Sequence, residues 1–519
     1  MQTRRGKRFQ AYRGVRYARP PVGSLRFQPP QMIVNYTGEV DATQDGPACP
    51  QPVADNYPVD EDCLRLNVYR PDGKIRKPLP VVVFLHAGGF YSVSGRSDLA
   101  GPHYLMDRDL VLVTVNYRLG SLGFLSTGDK HAPGNNGFKD QVAALHWVRR
   151  NIAAFGGDPQ LVTIAGYSAG SFSVMLHMIS PMSKGLFHRA ISMSGSPISQ
   201  VTIPRHQRHL AARQARLLSC PEQPSEEMLR CLRGKTSKEL GDSLVNMFEF
   251  GFDPVLLWVP VQEQDFGQEM FLPRQPLAAL CGGDLQPVPY IVSQTQDEFF
   301  WKALDVLKNA TSLELWRQDW TGRANVAFYL GDRDGDGSRA ARLRQAYLGG
   351  RELANDTHTA DGLGKLYSDA VIGFGPHRLV NLMARHSSQP AYYYEFGYIG
   401  NSSHYVDPVT NKPIAAAHHD DLLYLFNVSA AFPSVPPADT RDSHMVDKMT
   451  AIFYNFARYG APHSRGDTPE LDGLSWPQFK PDSRQYLRVD QPFSVRDKLF
   501  EDRFAVWEEL FPLDYQKCT

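Results

Sequence analysis

The chain has 519 residues, of which 42% are hydrophobic and 21% charged, so it has enough apolar mass for a sizeable core and is not disordered as a whole. Its 55 Lys and Arg residues balance its 55 Asp and Glu residues, which leaves no net basic field to hold nucleic acid or an anionic membrane surface. The longest apolar runs, such as Leu79 to Leu85, fall well short of the roughly 18 residues that a membrane span needs. We therefore predict a globular chain with a small or neutral partner, no nucleic acid and no membrane span.

Strand and helix signals alternate along the chain, as in an α/β protein with a mostly parallel sheet. Five apolar runs of strand length are continuous rather than alternating, which is typical of strands covered on both faces. These runs are Val81 to Leu85, Leu110 to Val115, Leu161 to Ala165, Pro289 to Val292 and Ala391 to Phe396.

Helices are predicted between these strands. Phe138 to Phe155 has apolar residues at helical spacing and ends in a Gly-Gly pair, and Lys448 to Tyr459 shows a similar pattern. Residues from about 204 to 287 lie between two strand signals and are mostly helical or loop-like. We therefore expect a single domain over residues 1–519, with a helical excursion at about 204–287.

Cysteines and glycosylation sequons favour the secretory pathway. Four cysteines form close pairs without the spacing of a metal site, so we predict two disulfides, Cys49 with Cys63 and Cys220 with Cys231. The partners of Cys281 and Cys518 stay unassigned. Five Asn-x-Ser/Thr sequons occur, at Asn35, Asn309, Asn355, Asn401 and Asn427. The first residues lack the apolar region of a signal peptide, so either the leader is missing from this chain or the protein is cytosolic. The sequons favour a secreted protein whose leader is missing.

One pentapeptide has the context of a catalytic nucleophile. Gly166-Tyr-Ser-Ala-Gly170 follows a predicted strand and precedes a helical pattern, as the G-x-S-x-G nucleophile elbow requires. Its glycines suit a turn too tight for side chains, and this turn would hold the Ser168 hydroxyl at the carboxyl edge of the sheet. We predict that Ser168 is the nucleophile; the alternative is a strand-to-helix turn without chemistry.

A glycine-rich loop is a candidate oxyanion hole. His86-Ala-Gly-Gly-Phe90 leaves the strand that ends at Leu85, and its small residues allow backbone N–H groups to converge on one point. The predicted donors are Gly88, Gly89 and Ala169. The alternative is a plain turn at the end of a strand.

A serine nucleophile also needs a base and a carboxylate that orients the base, in the chain order Ser, Asp or Glu, His. Asp297 and Glu298 closely follow the strand that ends at Val292, and His418 and His419 follow later in the chain. The residues alone do not separate Asp297 from Glu298, or His418 from His419.

These motifs, with others along the chain, resemble the type-B carboxylesterase and cholinesterase-like family of α/β-hydrolases, and insect-type secreted carboxylesterases above all. The resemblance extends from near the start to the last helix and includes residues 17–27, 61–68, 116–120, 155–159 and 194–196. It implies an α/β-hydrolase fold, with a large, mostly parallel central sheet flanked by helices. It also implies that Glu298 is the acid, that His418 is the base and that Ser194 is a buried serine supporting this histidine. The same two disulfides are usual in the family.

The chain departs from the family pattern at several positions. Ala87 replaces the first glycine of the oxyanion loop, but the predicted donors follow it, so we expect the oxyanion hole to be retained. Phe299 replaces the glycine after the acid. Cholinesterases have an acidic residue before the nucleophile and an aromatic choline site in the first disulfide loop, whereas this chain has Tyr167 and no Trp in that loop. We do not expect acetylcholine to be a dedicated substrate.

Three further motifs are discounted. Residues 332–337 imitate the start of an EF-hand loop, but Leu343 stands where the bidentate Glu belongs, which favours an Asp/Gly turn. Residues 418–421 are His-His-Asp-Asp, but adjacent residues point apart, so we predict no metal. The tripeptide at 465–467, Arg-Gly-Asp, lies in a Pro- and Gly-rich stretch and is taken as a turn.

The leading hypothesis is a secreted serine carboxylesterase that acts on a small uncharged ester through an acyl-enzyme and needs no cofactor. Relatives of this family that serve as adhesion proteins commonly lose triad residues. This chain retains a candidate for every role, which favours an enzyme. The alternative is a catalytically silent binding protein, with the Arg-Gly-Asp tripeptide as its only local hint, and an intracellular esterase is a lesser alternative. The oligomeric state is not legible from the sequence.

Overall fold

The computed structural model describes residues 1–52, 57–331, 335–463 and 468–513. Its strands, numbered in chain order, are β1 (Phe9–Arg16), β2 (Arg65–Pro71), β3 (Leu79–Leu85), β4 (Val111–Val115), β5 (Gly157–Tyr167), β6 (Arg189–Met193), β7 (Tyr290–Thr295), β8 (Ala391–Phe396), β9 (Gln485–Val489) and β10 (Ser494–Asp497).

All ten strands belong to one mixed sheet, in the spatial order β1-β2-β4-β3-β5-β6-β7-β8-β9-β10. The strands from β4 to β9 in this order run parallel to one another, while β1 and β2 at one edge and β10 at the other pair antiparallel. The five strands predicted from apolar runs are confirmed as β3, β4, β5, β7 and β8. The large, mostly parallel sheet of an α/β-hydrolase is therefore confirmed.

Helices cover both faces of this sheet. They are α1 (Gly120–Phe124), α2 (Asn136–Asn151), α3 (Ala169–Ile179), α4 (Arg208–Leu217), α5 (Ser225–Arg233), α6 (Ser237–Asp242), α7 (Pro276–Cys281), α8 (Trp301–Lys308), α9 (Ala310–Gln318), α10 (Trp320–Ala327), α11 (Ser338–Leu348), α12 (Thr357–Ser368), α13 (Phe374–His386), α14 (Arg441–Tyr459) and α15 (Glu501–Leu510). The predicted helices are confirmed as α2, which a 3-10 turn extends over Ile152–Phe155, and α14.

Strand β3 shows why its apolar run is continuous. Val81, Val83 and Leu85 pack in one hydrophobic cluster with α2, α3 and α13, whereas Val82 and Phe84 pack in a second cluster with α14. Because successive side chains of a strand point to opposite faces, both faces of β3 require apolar residues.

Two helical segments extend from the sheet. Helices α4 to α7 lie between β6 and β7, which confirms the predicted helical excursion. Helices α8 to α13 lie between β7 and β8, and α8 to α12 pack with α15 in a third hydrophobic cluster.

Both predicted disulfides are present, Cys49 with Cys63 and Cys220 with Cys231. Cys281 is also disulfide-bonded, and Cys518 lies outside the described residues. In the described ranges, no helix combines the length and the apolar character that crossing a membrane requires.

Candidate active site

Ser168 stands at the carboxyl end of the central strand β5, immediately before α3. Its backbone has φ 53° and ψ −115°, a conformation that is costly for a residue with a side chain and that recurs at functional sites. A Cβ on Gly166 would collide with the Gly170 carbonyl, and a Cβ on Gly170 would collide with the carbonyl of Leu85. The two glycines are therefore required by close backbone approach, as the sequence motif predicts.

The turn is fixed from the next strand as well. The Ser168 N–H donates to the Met193 carbonyl at 2.8 Å, and Gly195 packs against the Ser168 carbonyl and the ring of Phe172. These contacts hold the serine at the edge of the sheet, where its side chain is nearly buried.

The loop after β3 lies against the same turn, because Gly170 contacts the carbonyls of both Leu85 and His86. The Gly88 carbonyl accepts hydrogen bonds from the N–H groups of Tyr91 at 2.8 Å and Ser92 at 2.9 Å, which curls the loop. Gly88 itself has φ 107°, and a Cβ there would collide with the Ser92 carbonyl.

The backbone N–H groups of this loop remain available to a ligand. Within the described residues, the N–H groups of Gly88 and Gly89 donate to no backbone or side-chain acceptor. Ala169 is the first residue of α3, so its N–H has no acceptor within the helix. Ala87, which departs from the family pattern, is buried and has no positive φ, so its methyl group fits this backbone.

Glu298 and His418 form a buried pair. His418 Nδ1 donates a hydrogen bond to Glu298 Oε2, and both side chains are 1% exposed. Glu298 Oε1 accepts from the Thr295 N–H at 2.7 Å, and the His418 N–H donates to the Glu298 carbonyl at 3.1 Å. His418 Nε2 is buried and has no hydrogen-bond partner among the described residues. Since Nδ1 is a donor, Nε2 of the neutral ring is an acceptor.

The neighbours Asp297 and His419 have other surroundings. Burial raises the pKa of Asp297 to about 6, and the charges that act on this carboxyl are those of Glu395, Arg503 and Arg488 rather than that of His418. His419 has φ 82°, and its N–H donates to the Tyr167 hydroxyl at 2.8 Å. The structure thus brings together Glu298 and His418, which the resemblance had selected.

Phe299 packs against this pair, and Ser194 lies beside the Tyr167 side chain. Ser194 follows β6, is fully buried with φ 54°, and has no partner for Oγ among the described residues. The ring of Phe299 lies 4.5 Å from that of His418 at an interplanar angle of 36°. The residue that replaces the family's glycine therefore packs on one face of the imidazole.

Sequence reasoning missed two residues of this region, Tyr167 and Asp421. The Tyr167 ring lies 5.1 Å from the His418 ring, and Asp421 Oδ2 accepts from the Tyr394 hydroxyl at 3.2 Å. Burial raises the pKa of Asp421 to about 8, and the charge of Glu298 adds to the effect. The only signal in the sequence was their position, because Tyr167 directly precedes the nucleophile and Asp421 follows His418 by three residues.

A cavity of about 500 Å³ lies against Phe172 of α3, one helical turn after the nucleophile, and its lining does not include Ser168, His418 or the loop glycines. Phe172, whose N–H donates to the Ser168 carbonyl, contributes to its wall, as do residues that follow Ser194. Most of its lining is apolar and comes from the segments 197–210, 256–260, 325–331 and 370–371.

The five sequons differ in exposure. Asn35, Asn309, Asn355 and Asn401 are exposed, but Asn427 is only 8% exposed and its Oδ1 accepts from the Ser434 hydroxyl at 2.8 Å. The discounted motifs at 332–334 and 465–467 lie outside the described residues. Within the described ranges, no three His, Cys, Asp or Glu side chains are placed to hold a metal ion.

A serine turn between β5 and α3 of a parallel sheet, with an acid after β7 and a histidine after β8, has the topology of an α/β-hydrolase. The model of the carboxylesterase family matches residues 1–507. Juvenile hormone esterase of Tribolium castaneum is 36% identical over 479 residues, which cover 89% of this chain and 81% of that protein. Esterase FE4 of Myzus persicae is 36% identical over 474 residues, which cover 89% of this chain and 82% of that protein.

A solved structure agrees with these matches. The crystal structure of juvenile hormone esterase from Manduca sexta, with OTFP covalently attached, has a TM-score of 0.83 and 28% sequence identity, and the match covers 98% of this chain and 96% of that chain. The chain belongs to the carboxylesterase family. It is a carboxylic ester hydrolase with the α/β-hydrolase fold.

Proposed function

We propose that this protein is a secreted serine esterase that hydrolyses uncharged carboxylic esters through Ser168, His418 and Glu298. The observation that carries the proposal is the buried Glu298–His418 pair beside the nucleophile turn. In this pair His418 Nδ1 is bonded to Glu298, and His418 Nε2 is an acceptor that has no hydrogen-bond partner among the described residues.

The proposed reaction has two halves. His418 Nε2 takes the proton of the Ser168 hydroxyl as Oγ attacks the ester carbonyl carbon, and the imidazolium then gives this proton to the departing alcohol. Water, deprotonated by the same nitrogen, attacks the acyl-enzyme and releases the acid with Ser168 restored. Glu298 holds the imidazole in the tautomer that leaves Nε2 free to accept, and its charge stabilises the imidazolium.

The N–H groups of Gly88, Gly89 and Ala169 are the proposed oxyanion donors. They belong to two segments that meet where Gly170 packs on Leu85, so their positions are fixed before substrate binds. Fixed donors of this kind contribute roughly 3 to 4 kcal/mol each to transition-state stabilisation. The proposed role of Ser194 is to support His418 from the buried end of β6.

The cavity supports the choice of substrate class. Among the described residues that line it there is no Asp, Glu, Lys or Arg, so a charged substrate would lose its water without gaining an acidic, lysine or arginine side chain as an ion-pair partner. An ester with an apolar acyl or alcohol group would replace water against apolar side chains.

The proposal of secretion rests on different residues. Two disulfides are stable in an oxidising compartment, and the exposed sequons Asn35, Asn309 and Asn355 are accessible for glycosylation, whereas Asn401 Nδ2 donates to Asp442 Oδ2 at 2.8 Å.

The test compares p-nitrophenyl acetate, p-nitrophenyl butyrate and the p-nitrophenyl monoester of succinic acid on the purified glycosylated protein and on Ser168→Ala. The succinate ester matches the butyrate in length but ends in a carboxylate. Because this carboxylate also expels p-nitrophenolate without enzyme, by forming the cyclic anhydride, every rate is corrected for the enzyme-free reaction. We expect no turnover by Ser168→Ala, and a kcat/KM for butyrate about a hundredfold above that for succinate, which corresponds to about 2.7 kcal/mol.

Each part of the proposal has its own contrary result. Equal kcat/KM values for butyrate and succinate would contradict the uncharged substrate class. A folded wild-type protein without turnover of any of these esters would instead favour the binding-protein alternative.

A further inference from the structure

We propose that Tyr167 is a positioning residue whose hydroxyl ties the nucleophile turn to the loop that carries His418. This inference rests on the proposed triad and adds to it a residue that touches neither substrate nor reacting atoms. Tyr167 is the last residue of β5 and immediately precedes Ser168, and its side chain is fully buried.

The histidine loop is held on two sides. On the side of the acid, the Asp297 N–H donates to the Ala416 carbonyl at 3.1 Å, and the His418 N–H donates to the Glu298 carbonyl at 3.1 Å. On the side of the nucleophile, the His419 N–H donates to the Tyr167 hydroxyl at 2.8 Å. Tyr167 therefore links the backbone next to the base with the backbone next to the nucleophile.

The conformation of His419 is consistent with this tie. Its φ of 82° lies in the left-handed region, which is unfavourable for a side chain with a Cβ and needs support from its surroundings. The bond to Tyr167 is one such support. The rings of His418 and His419 pack 5.1 Å and 4.9 Å from that of Tyr167, so the same side chain also fixes both rings.

Two buried polar side chains lie near the Tyr167 hydroxyl, the Asp421 carboxyl and the Ser194 hydroxyl. The Asp421 carboxyl interacts electrostatically with this hydroxyl, and Asp421 Oδ1 has no hydrogen-bond partner among the described residues. A phenol that accepts from His419 still has its own proton to donate. We infer that Asp421 orients this proton and so leaves a lone pair of the Tyr167 oxygen directed at the His419 N–H.

The test is the variant Tyr167→Phe, which removes the hydroxyl and keeps the ring. Tyr290→Phe is the matched control, because Tyr290 is also fully buried in a parallel strand and its hydroxyl is hydrogen-bonded to the Ser192 side chain, at 2.6 Å, rather than to the histidine loop. The readouts are kcat and KM for p-nitrophenyl butyrate, the rate of Ser168 labelling by an organophosphate, and the melting temperature.

For Tyr167→Phe we expect kcat to fall by about tenfold or more, because the unpaired N–H of His419 frees the loop that positions the base. KM should stay within about twofold, since the cavity is untouched, and Ser168 labelling should slow in parallel with kcat. Tyr290→Phe should keep kcat within about twofold, while its melting temperature falls by about as much as that of Tyr167→Phe.

Equal kcat values for the two variants, or a Tyr167→Phe effect on KM alone, would overturn the positioning role. If Tyr167→Phe does not fold, Tyr167→Met removes the same hydroxyl with a more adaptable side chain and carries the same expectation. The proposed function fails separately, either through turnover by Ser168→Ala or through a folded wild type without turnover, and both are measured in the same assay.

Discussion

Replacing Glu298 by glutamine tests the orientation of the base, because the amide must choose between two partners. In the wild type, Oε1 accepts from the Thr295 N–H at 2.7 Å and Oε2 accepts from His418 Nδ1. An amide has only one oxygen. If its nitrogen faced Thr295, two donors would meet in a buried place, at a cost of about 1 to 3 kcal/mol.

The favoured amide therefore keeps its oxygen on Thr295 and turns its NH₂ towards His418. His418 Nδ1 must then accept, which places the ring proton on Nε2, where it cannot take the proton of Ser168. A triad carboxylate replaced by its amide lowers kcat by about 10⁴-fold in this way, equivalent to about 5.5 kcal/mol. We expect this loss for Glu298→Gln, measured as kcat for p-nitrophenyl butyrate.

Asp297→Asn is the matched control, because this carboxyl is adjacent in sequence and interacts with other charges. We expect its kcat to stay within about threefold of the wild type, since the bond between Glu298 and His418 remains. The reasoning would be refuted if Glu298→Gln kept more than about a tenth of the wild-type kcat, or if Asp297→Asn lost as much activity as Glu298→Gln.

Further predictions concern stability, pH, glycosylation and the oxyanion loop. Replacing Cys49 and Cys63 by serine opens a loop with a sequence separation of 14, and we expect a loss of about 3 kcal/mol in denaturant unfolding, with an unchanged midpoint as the contrary result. Burial raises the pKa of Asp421 to about 8, whereas an Asp of an unfolded chain has a pKa of roughly 3.9. Between about pH 4 and 8, only the folded state therefore keeps this proton, and the free energy of unfolding falls as pH rises through that window. The loss of melting temperature from pH 5 to pH 8 should therefore be smaller in Asp421→Asn, and equal losses would contradict the shift. Peptide mapping of the secreted protein should find Asn427 unmodified, because its amide is buried and bonded to Ser434; a glycan there would be incompatible with this fold. Ala87→Gly should leave kcat within about threefold of the wild-type value, because the proposed donors follow Ala87 in the loop. A larger loss would show that the Ala87 methyl group helps to shape the loop.

The parts of the fold that were predicted from the sequence depend on burial. The runs that became β3, β4 and β8 are apolar apart from Thr114 and Glu395, because both faces of these strands are covered, and this pattern is visible in the residues alone. Strand β10 (Ser494–Asp497) is partly or fully exposed at an edge of the sheet, so it has no such pattern and was not predicted.

The active-site residues were likewise predictable only in part. The serine turn was predictable because close backbone approach demands Gly166 and Gly170, and this demand is local. The choice between His418 and His419 could be made only from the family resemblance and not from the residues themselves, because it depends on a left-handed backbone angle at His419. The tie from Tyr167 to His419 joins residues 252 positions apart, so only the folded chain shows it.

The central claim is that Ser168 is the nucleophile, and covalent labelling tests it most directly. The folded, glycosylated protein is incubated with an organophosphate fluoride, and the adduct is located by peptide mass spectrometry while the residual turnover of p-nitrophenyl butyrate is followed. We expect one adduct per chain, on Ser168, with turnover lost in proportion to labelling and no adduct on Ser168→Ala. Turnover lost while Ser168 stays unmodified, or full turnover by a completely labelled Ser168, would contradict it.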